Sequence, residues 1–278
     1  MDREKRSIRQ IFSKISPVDL LGSEVQSSEL IYNVVSFISS SDFCDNAFLI
    51  SNLGFLLAQK GLYTCIVDFK VFYPNIYLFL DVPPHKKSDG LIKVLKSDKV
   101  DFREEIQPTK FSNLFLLSPS PQDLIEEYLD FTFDHIDHVI NNLKQMFDIV
   151  LIDVPNNPPL EFCLGAMKSS HIGFFTAAER LECPGNIIKL LDFAASIGIS
   201  TSKFTSVILM NMLDLTFDYK VFTDAGLKIV ACLPLVKQGY ARALDGRLYV
   251  KDNPMINKYF DKHMDTLVKL LVDGNKGG

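Results

Sequence analysis

The sequence predicts an α/β protein with a three-layer, doubly wound and mainly parallel sheet. Two observations carry this reading. Short apolar runs rich in Val, Ile and Phe recur at residues 31–38, 63–67, 114–117, 149–152, 172–176, 206–210 and 229–233. Between them lie helix-like segments, and that alternation is the pattern of parallel strands covered by helices on both faces. The run 31–38 is the expected first strand. Residues 47–59 are apolar almost all round, as in a helix buried against a sheet, and Gly61 is placed to end it. Within 130–146, Ile136, Val139, Ile140 and Leu143 share one helical face directly before the strand at 148–152. Residues 256–272 place Tyr259, Phe260, Leu267, Leu270 and Leu271 in a final packed helix, followed by polar residues without a basic cluster.

With 278 residues, 47% hydrophobic and 23% charged, the chain is long enough for one large domain, expected over 30–278. Residues 1–29 read as an appendage. There Ile8, Ile11, Phe12 and Ile15 recur at helical spacing among Arg3, Lys5, Arg6, Arg9 and Lys14. Such a helix suits an anionic membrane surface, a partner groove or the protein's own sheet. The net charge of −5 gives no overall attraction to nucleic acid, and no basic patch shows in the body of the chain. Cys44, Cys65, Cys163, Cys183 and Cys232 are odd in number, widely spaced and free of any CxxC pair, which fits reduced thiols in a cytoplasmic protein. No apolar leader or bilayer-length run is present. The expected location is cytoplasmic, with peripheral contact at the inner membrane face through residues 1–16 left open.

Between the first strand and the buried helix lies Ser39-Ser40-Ser41-Asp42-Phe43-Cys44-Asp45-Asn46-Ala47. A nucleotide-binding α/β protein carries a glycine-rich phosphate loop there. Such a loop needs glycines so that backbone N–H groups can curl around phosphate, a lysine for the β and γ phosphates, and a hydroxyl for magnesium. None of these is present. Phe43 and Cys44 put side chains where backbone must approach the ligand, and Asp42 and Asp45 set negative charge beside the helix N-terminus.

The segment from Asn52 to Gly61, followed by Cys65-Ile-Val-Asp68, resembles the helix and second strand of the MinD/ParA family of deviant-Walker ATPases. Further on, Phe147-Asp-Ile-Val-Leu-Ile-Asp153-Val-Pro155 resembles that family's Walker B and switch II strand. Phe174-Phe-Thr-Ala-Ala-Glu179 is similar to its next strand with a terminal acidic residue. Leu209-Met-Asn211 resembles the strand end whose Asn reads adenine, and Leu233-Pro234 with residues 240–246 resembles the last strand and the helix of the base pocket. The resemblance spans 30–272 and implies a P-loop fold. Aligned without gaps from Asn52, it places Ser41 at the signature lysine, Asn46 at the P-loop lysine and Ala47 at the magnesium-binding hydroxyl. The family's Asp-x-Asp becomes Asp68 and Lys70, and the switch glycine falls at Asn157. Phosphoryl transfer rests on positioned charge, so loss of both lysines removes the main catalytic contribution. This implies a pseudo-ATPase with a degenerate Walker A.

Leu116-Leu-Ser-Pro-Ser-Pro-Gln-Asp-Leu124, a helix, and the strand ending at Asp153 are together similar to the CpaE/TadZ group of Tad (Flp) pilus assembly. That resemblance implies a non-catalytic scaffold or localisation protein at the cytoplasmic membrane, with pilus-assembly or secretion proteins as partners. It also implies a homodimer, in which Phe43 and its neighbours would replace the nucleotide between subunits. The expected site residues are vestigial: Asn46, Ala47, Asp153, Asn211 and Pro234, with no catalytic residue, no metal and no cofactor other than ATP held weakly. Asp153, like Asp68, reads more readily as a bond to the degenerate loop than as a metal ligand. Asn211 and Pro234 could still meet a purine. The alternatives are an ATP-binding switch using Asp153, Asn211 and the N–H groups of Asn46 and Ala47, or a ParA-like DNA-partition protein, although nucleic acid is not the expected partner. His135 and His138 fit solvent-facing helix polarity better than a metal pair, Lys86 and Lys87 a surface loop, and Ser118 to Ser120 a turn with no nearby His.

Overall fold

The computed structural model describes residues 32–272, apart from 43, 98, 158, 214–216, 244 and 253–256. Eight strands form one sheet: β1 (Val34–Ser39), β2 (Thr64–Asp68), β3 (Gln107–Pro108), β4 (Leu114–Leu117), β5 (Ile149–Val154), β6 (Ile172–Ala177), β7 (Ser206–Met212) and β8 (Lys228–Pro234). The longer helices are α1 (Asn46–Gln59), α2 (Phe133–Met146), α3 (Leu160–Ser169), α4 (Glu182–Ser196), α5 (Lys237–Ala243) and α6 (Lys258–Val272). The strand order is β3-β4-β2-β5-β1-β6-β7-β8, parallel throughout except for the two-residue β3, which runs antiparallel to β4 at the edge. The expected doubly wound parallel sheet is the one observed.

β1 and β5 are buried along their whole length, which is why they read as unbroken apolar runs and not as alternating ones. Their side chains still alternate between two cores. Val34, Ile38, Val150 and Ile152 pack with Ile136, Val139, Ile140 and Leu143 of α2 and with Phe162 of α3. Val35, Phe37, Ile149 and Leu151 pack on the other face with α1 and with Phe260, Leu267 and Leu271 of α6. α1 starts at Asn46, one residue before the expected bound, and Gly61 follows it at φ +83°, a conformation that costs glycine little. α6 buries one face as expected, but Tyr259 points outward and is 72% exposed. All five cysteines are free, and four are buried.

The chain winds outward from β1 in both directions, so a crevice opens where β1, β2, β5 and β6 end. In the sheet Asp68 pairs with Asp153, Phe37 with Asp153, and Ser39 with Thr176. Those four strand ends build the candidate site.

Lys60, Lys144, Lys168, Lys203 and Lys228 stand just before or at the start of β2, β5, β6, β7 and β8, on the opposite edge where the strands begin. The two histidines of α2 serve the helix itself. His135 Nδ1 lies 2.9 Å from Thr132 Oγ1 at the N-terminus, and His138 rests 5.8 Å from the Phe102 ring. No helix among the described residues is long and apolar enough to cross a membrane. The helix expected within residues 1–16 and the aromatic ring of Phe43 lie outside the described residues.

Candidate functional site

The loop after β1 is fastened through its carbonyl groups. Asn46 Nδ2 donates to Phe37 O at 3.1 Å, Asn156 Nδ2 to Ser39 O at 2.9 Å, and Asn186 Nδ2 to Ser40 O at 3.0 Å. Ser40 adds two bonds of its own to Thr176 O, from N at 2.9 Å and from Oγ at 2.8 Å. A phosphate loop works the other way, turning its N–H groups inward toward an anion. Here the N–H at the start of α1 is already taken, since Asp45 Oδ1 accepts from Ala47 N at 3.1 Å as the helix N-cap. The aspartate supplies from within the chain the negative charge that a helix N-terminus favours.

Asn46, at the position that the resemblance gives to the P-loop lysine, is completely buried. Besides Phe37 O, its amide donates to Asp153 Oδ1 at 3.1 Å, and its Oδ1 accepts from Thr176 Oγ1 at 2.6 Å. Ala47 is also buried and offers no hydroxyl. The sequence reading expected Asp153 to bond the backbone of the degenerate loop; its partner here is instead the side-chain amide of Asn46, the first residue of α1.

It missed the second partner of Asp153. Lys70, two residues beyond the end of β2, turns back so that Nζ lies 2.9 Å from Asp153 Oδ2, as an ion pair rather than an aligned hydrogen bond. Asp153 is fully buried and the Lys70 side chain only 21% exposed. Asp68 organises this turn. Its Oδ1 accepts from Lys70 N at 2.9 Å, and its Oδ2 from Asn75 N at 3.1 Å and Ile76 N at 3.3 Å.

Three carboxylates therefore share one ammonium. Burial alone would lower the Lys70 pKa, but Asp153, Asp68 and Asp45 more than offset it, so the ammonium form is favoured. Burial, then the charge of Asp153, pushes the Asp68 carboxyl up to about 7. Burial also raises Asp45 and Asp153, with Lys70 opposing it in both. Burial and mutual repulsion thus favour a proton retained by the Asp68–Asp153 pair to higher pH than a free carboxylate keeps one.

The base side of the crevice is closed by an aromatic side chain. Asn211 adopts φ +55° at the end of β7, and its Oδ1 accepts from Tyr240 OH at 3.1 Å. The Tyr240 ring stacks on Phe48 with centroids 4.4 Å apart and an interplanar angle of 21°. Gly239 makes this approach feasible, because a Cβ there would stand 2.8 Å from Phe48 Cζ. Pro234 ends β8 opposite Met212 and is half-buried. Glu179 ties the exit of β7, accepting from Leu213 N at 2.7 Å and from Tyr219 OH at 2.9 Å.

Neither a family model nor a curated protein matches the sequence. Solved structures do. The septum site-determining protein MinD of Pyrococcus horikoshii OT3, solved with Mg-ADP, is 21% identical with a TM-score of 0.70, over 85% of this chain and 94% of that one. A ParA family ATPase from Chlorobium tepidum TLS is 16% identical with a TM-score of 0.73, over 85% and 98%. The fold is that of MinD and ParA. MinD of Aquifex aeolicus, solved in complex with MinC, is 16% identical with a TM-score of 0.67, over 86% and 95%.

The residues present do not fit the magnesium nucleotide that a MinD/ParA fold brings to mind. The cation position beside Asp153 holds Lys70, the helix N-terminus holds Asp45, and the strand-end Asn211 holds a phenol. Among the described residues no group of three or more His, Cys, Asp or Glu has the geometry to hold a metal ion.

The fold also changes the reading of the Ser118–Ser120 turn by bringing His85 to it. Ser120 Oγ donates to His85 O at 2.9 Å, and a Cβ on Gly90 would lie 2.4 Å from His85 Cδ2 and 2.5 Å from Ser118 O. His85 Nε2 and Ser118 Oγ are both buried with no hydrogen bond between them. The serine and histidine are packed as neighbours without forming a nucleophile and base.

Proposed function

We propose that this protein is a non-catalytic MinD/ParA-like scaffold or localisation protein, a pseudo-ATPase in which side chains of the chain itself replace the nucleotide. The observation that carries this reading is the Lys70–Asp153 ion pair, which places a tethered cation where catalysis would require an exchangeable one. Asp45 and Tyr240 extend the same substitution to the phosphate and base sides. A crevice filled in this way has no step to run, and what remains of the fold is its capacity to hold a protein surface in one shape. MinD of Aquifex aeolicus forms a complex with MinC, so this fold can serve as a protein-binding platform.

The likeness of residues 116–124 and 147–155 to the CpaE/TadZ group directs the proposal to Tad/Flp pilus assembly, with pilus-assembly or secretion proteins as partners and a nucleotide-independent homodimer. Calorimetric titration with Mg-ATP, read beside light-scattering mass, tests the reading. The expected result is no binding heat and a dimer mass that ATP leaves unchanged. Stoichiometric heat, or a dimer formed only with ATP, would promote an ATP-binding switch instead. Deleting the protein from a piliated host is expected to remove surface pili, and intact pili would reject the pilus assignment.

A further inference from the structure

Val34, the first residue of β1, is completely buried, and both of its backbone groups are closed by one residue at the start of β6. His171 N donates to Val34 O at 2.9 Å, and His171 Nδ1 accepts from Val34 N at 3.2 Å. A parallel ladder would ordinarily offer that N–H a backbone carbonyl. Here the carbonyl just before His171, Ser170 O, accepts from Lys203 Nζ, and the imidazole stands in as the acceptor for Val34. The next residue outward is held from the other side, where Asn33 O accepts from Val150 N at 2.8 Å.

An imidazole accepts a hydrogen bond only through a nitrogen that carries no proton. The contact with Val34 therefore assigns the proton of neutral His171 to Nε2. A second proton would put an N–H at Nδ1 as well, donor facing donor, and would leave a buried backbone N–H without an acceptor. Water cannot take over that role at Val34, which has no exposed surface, whereas His171 itself is exposed and exchanges protons with solvent.

The surroundings oppose the second proton. Burial first, and then the charges of Lys144 at the end of α2 and Lys203 before β7, lower the His171 pKa from its ordinary value. Lys168, in the last turn of α3, adds a further ammonium to this edge. The acids of the adjoining elements are turned to other groups: Asp148 Oδ2, before β5, accepts from Tyr63 N at 2.9 Å, and Asp137 Oδ1 of α2 accepts from Ser169 Oγ at 2.6 Å.

We propose that His171 is a proton-operated clamp on the entry of β1, closed while its imidazole is neutral and released when Nδ1 takes up a proton. The release is local. The other end of β1 is fastened by the amides of Asn46, Asn156 and Asn186, which do not titrate, so the strand-end site stays in place while the strand entry loosens. In the released state His171 has the ordinary value of about 6.5, above its value in the closed state. The clamp therefore holds fully above that pH and weakens as pH falls through it.

The test is the protection of the Val34 amide against hydrogen exchange in the full chain, followed by nuclear magnetic resonance and corrected for the intrinsic pH dependence of exchange. Protection is expected to fall about fivefold between about pH 7.5 and about pH 5.5, as follows for a group that titrates near 6.5 when released and lower when closed. Phe69 N, which donates to Asp153 O at 3.0 Å at the opposite edge, is the internal reference and is expected to lose none. In His171→Asn a side-chain carbonyl can accept from Val34 N but takes up no proton, so protection should persist and its fall with pH should vanish. His171→Ala should lose protection at both pH values. The imidazole nitrogen shifts of the parent, which need no variant, are expected to show the Nε2–H form and a midpoint below about 6.5. Unchanged protection of Val34 in the parent, an equal loss at Phe69, the same fall in His171→Asn, full protection in His171→Ala, or an Nδ1–H form would each overturn the proposal. None of these outcomes involves a nucleotide, so this inference and the pseudo-ATPase reading can fail separately.

Discussion

Where the strands end, Asp45, Asp68 and Asp153 are met by Lys70 and by N–H groups of the same chain, whereas where they begin Lys144, Lys168 and Lys228 form no ion pair among the described residues. The sheet is common to both edges, and in a doubly wound fold the first is the one that receives ligands. Buried charge has to be compensated, and here the compensation comes from within the chain. Exposed charge at low cost in water can remain uncompensated and available to a partner. Substitutions at the strand-end edge should therefore change stability, and those of the strand-start lysines should change it little.

The largest effect is expected at Lys70. Lys70→Met leaves Asp153 buried beside no cation, which should cost about 3–5 kcal/mol and lower the melting temperature by about 10 °C. Pairing it with Asp153→Asn should recover much of that loss, because both charges then leave together. A single variant as stable as the parent would mean that the ion pair does not hold the site.

Next comes the pH dependence of Asp68. Its folded pKa is raised to about 7, so the folded protein retains this proton more tightly than the unfolded chain does. The stability gained is complete below the ordinary carboxylate value of about 4 and is lost as pH rises through about 7. Melting temperature should therefore fall from pH 5 to pH 8, with a shallower fall in Asp68→Asn. Equal slopes in the two proteins would place the retained proton elsewhere.

A smaller loss, about 1 kcal/mol, is expected for Asp45→Ala, which removes the cap on Ala47 N. Chemical denaturation would show it as a lower midpoint at unchanged slope. Least of all, Lys144→Ala and Lys228→Ala should each leave the melting temperature within about 2 °C, as substitutions on an unpaired surface do. A large loss in either would show that the strand-start edge is structural.

The two regions were also unequally legible in the sequence. Strands and α1 could be read because buried parallel strands are continuous apolar runs and a helix between sheet and solvent-excluded core is apolar all round. The missing glycines at 39–47 were equally plain, since a phosphate loop depends on local residue types. The Lys70–Asp153 pair was not plain, because its members are 83 positions apart and the replacement of a carboxylate by lysine at 70 reads first as a loss. A signal was available: Asp68 pairs with Asp153 in register, so a cation just beyond Asp68 is within reach of Asp153. Likewise, Asn186 and Tyr240 join the site through folding, with nothing in their local sequence to mark them. The basic edge was hidden for a further reason. Its lysines are spaced at intervals of a strand and a helix, and the acidic total of the chain masks them.

On the proposed pseudo-ATPase reading, Asn46 is the residue that would make a return to hydrolysis hard. It is wholly buried and bridges Phe37 O, Asp153 and Thr176, three points on β1, β5 and β6. Placing lysine at position 46 would bring a second ammonium toward Lys70, remove the shorter of two acceptors for Thr176 Oγ1 and still leave no glycine in the loop. The first step back would thus be destabilising before any later step could make it useful. Under that proposal the pair works as a ratchet for a lineage: with the asparagine and the lysine both in place, no single substitution would restore a phosphate loop.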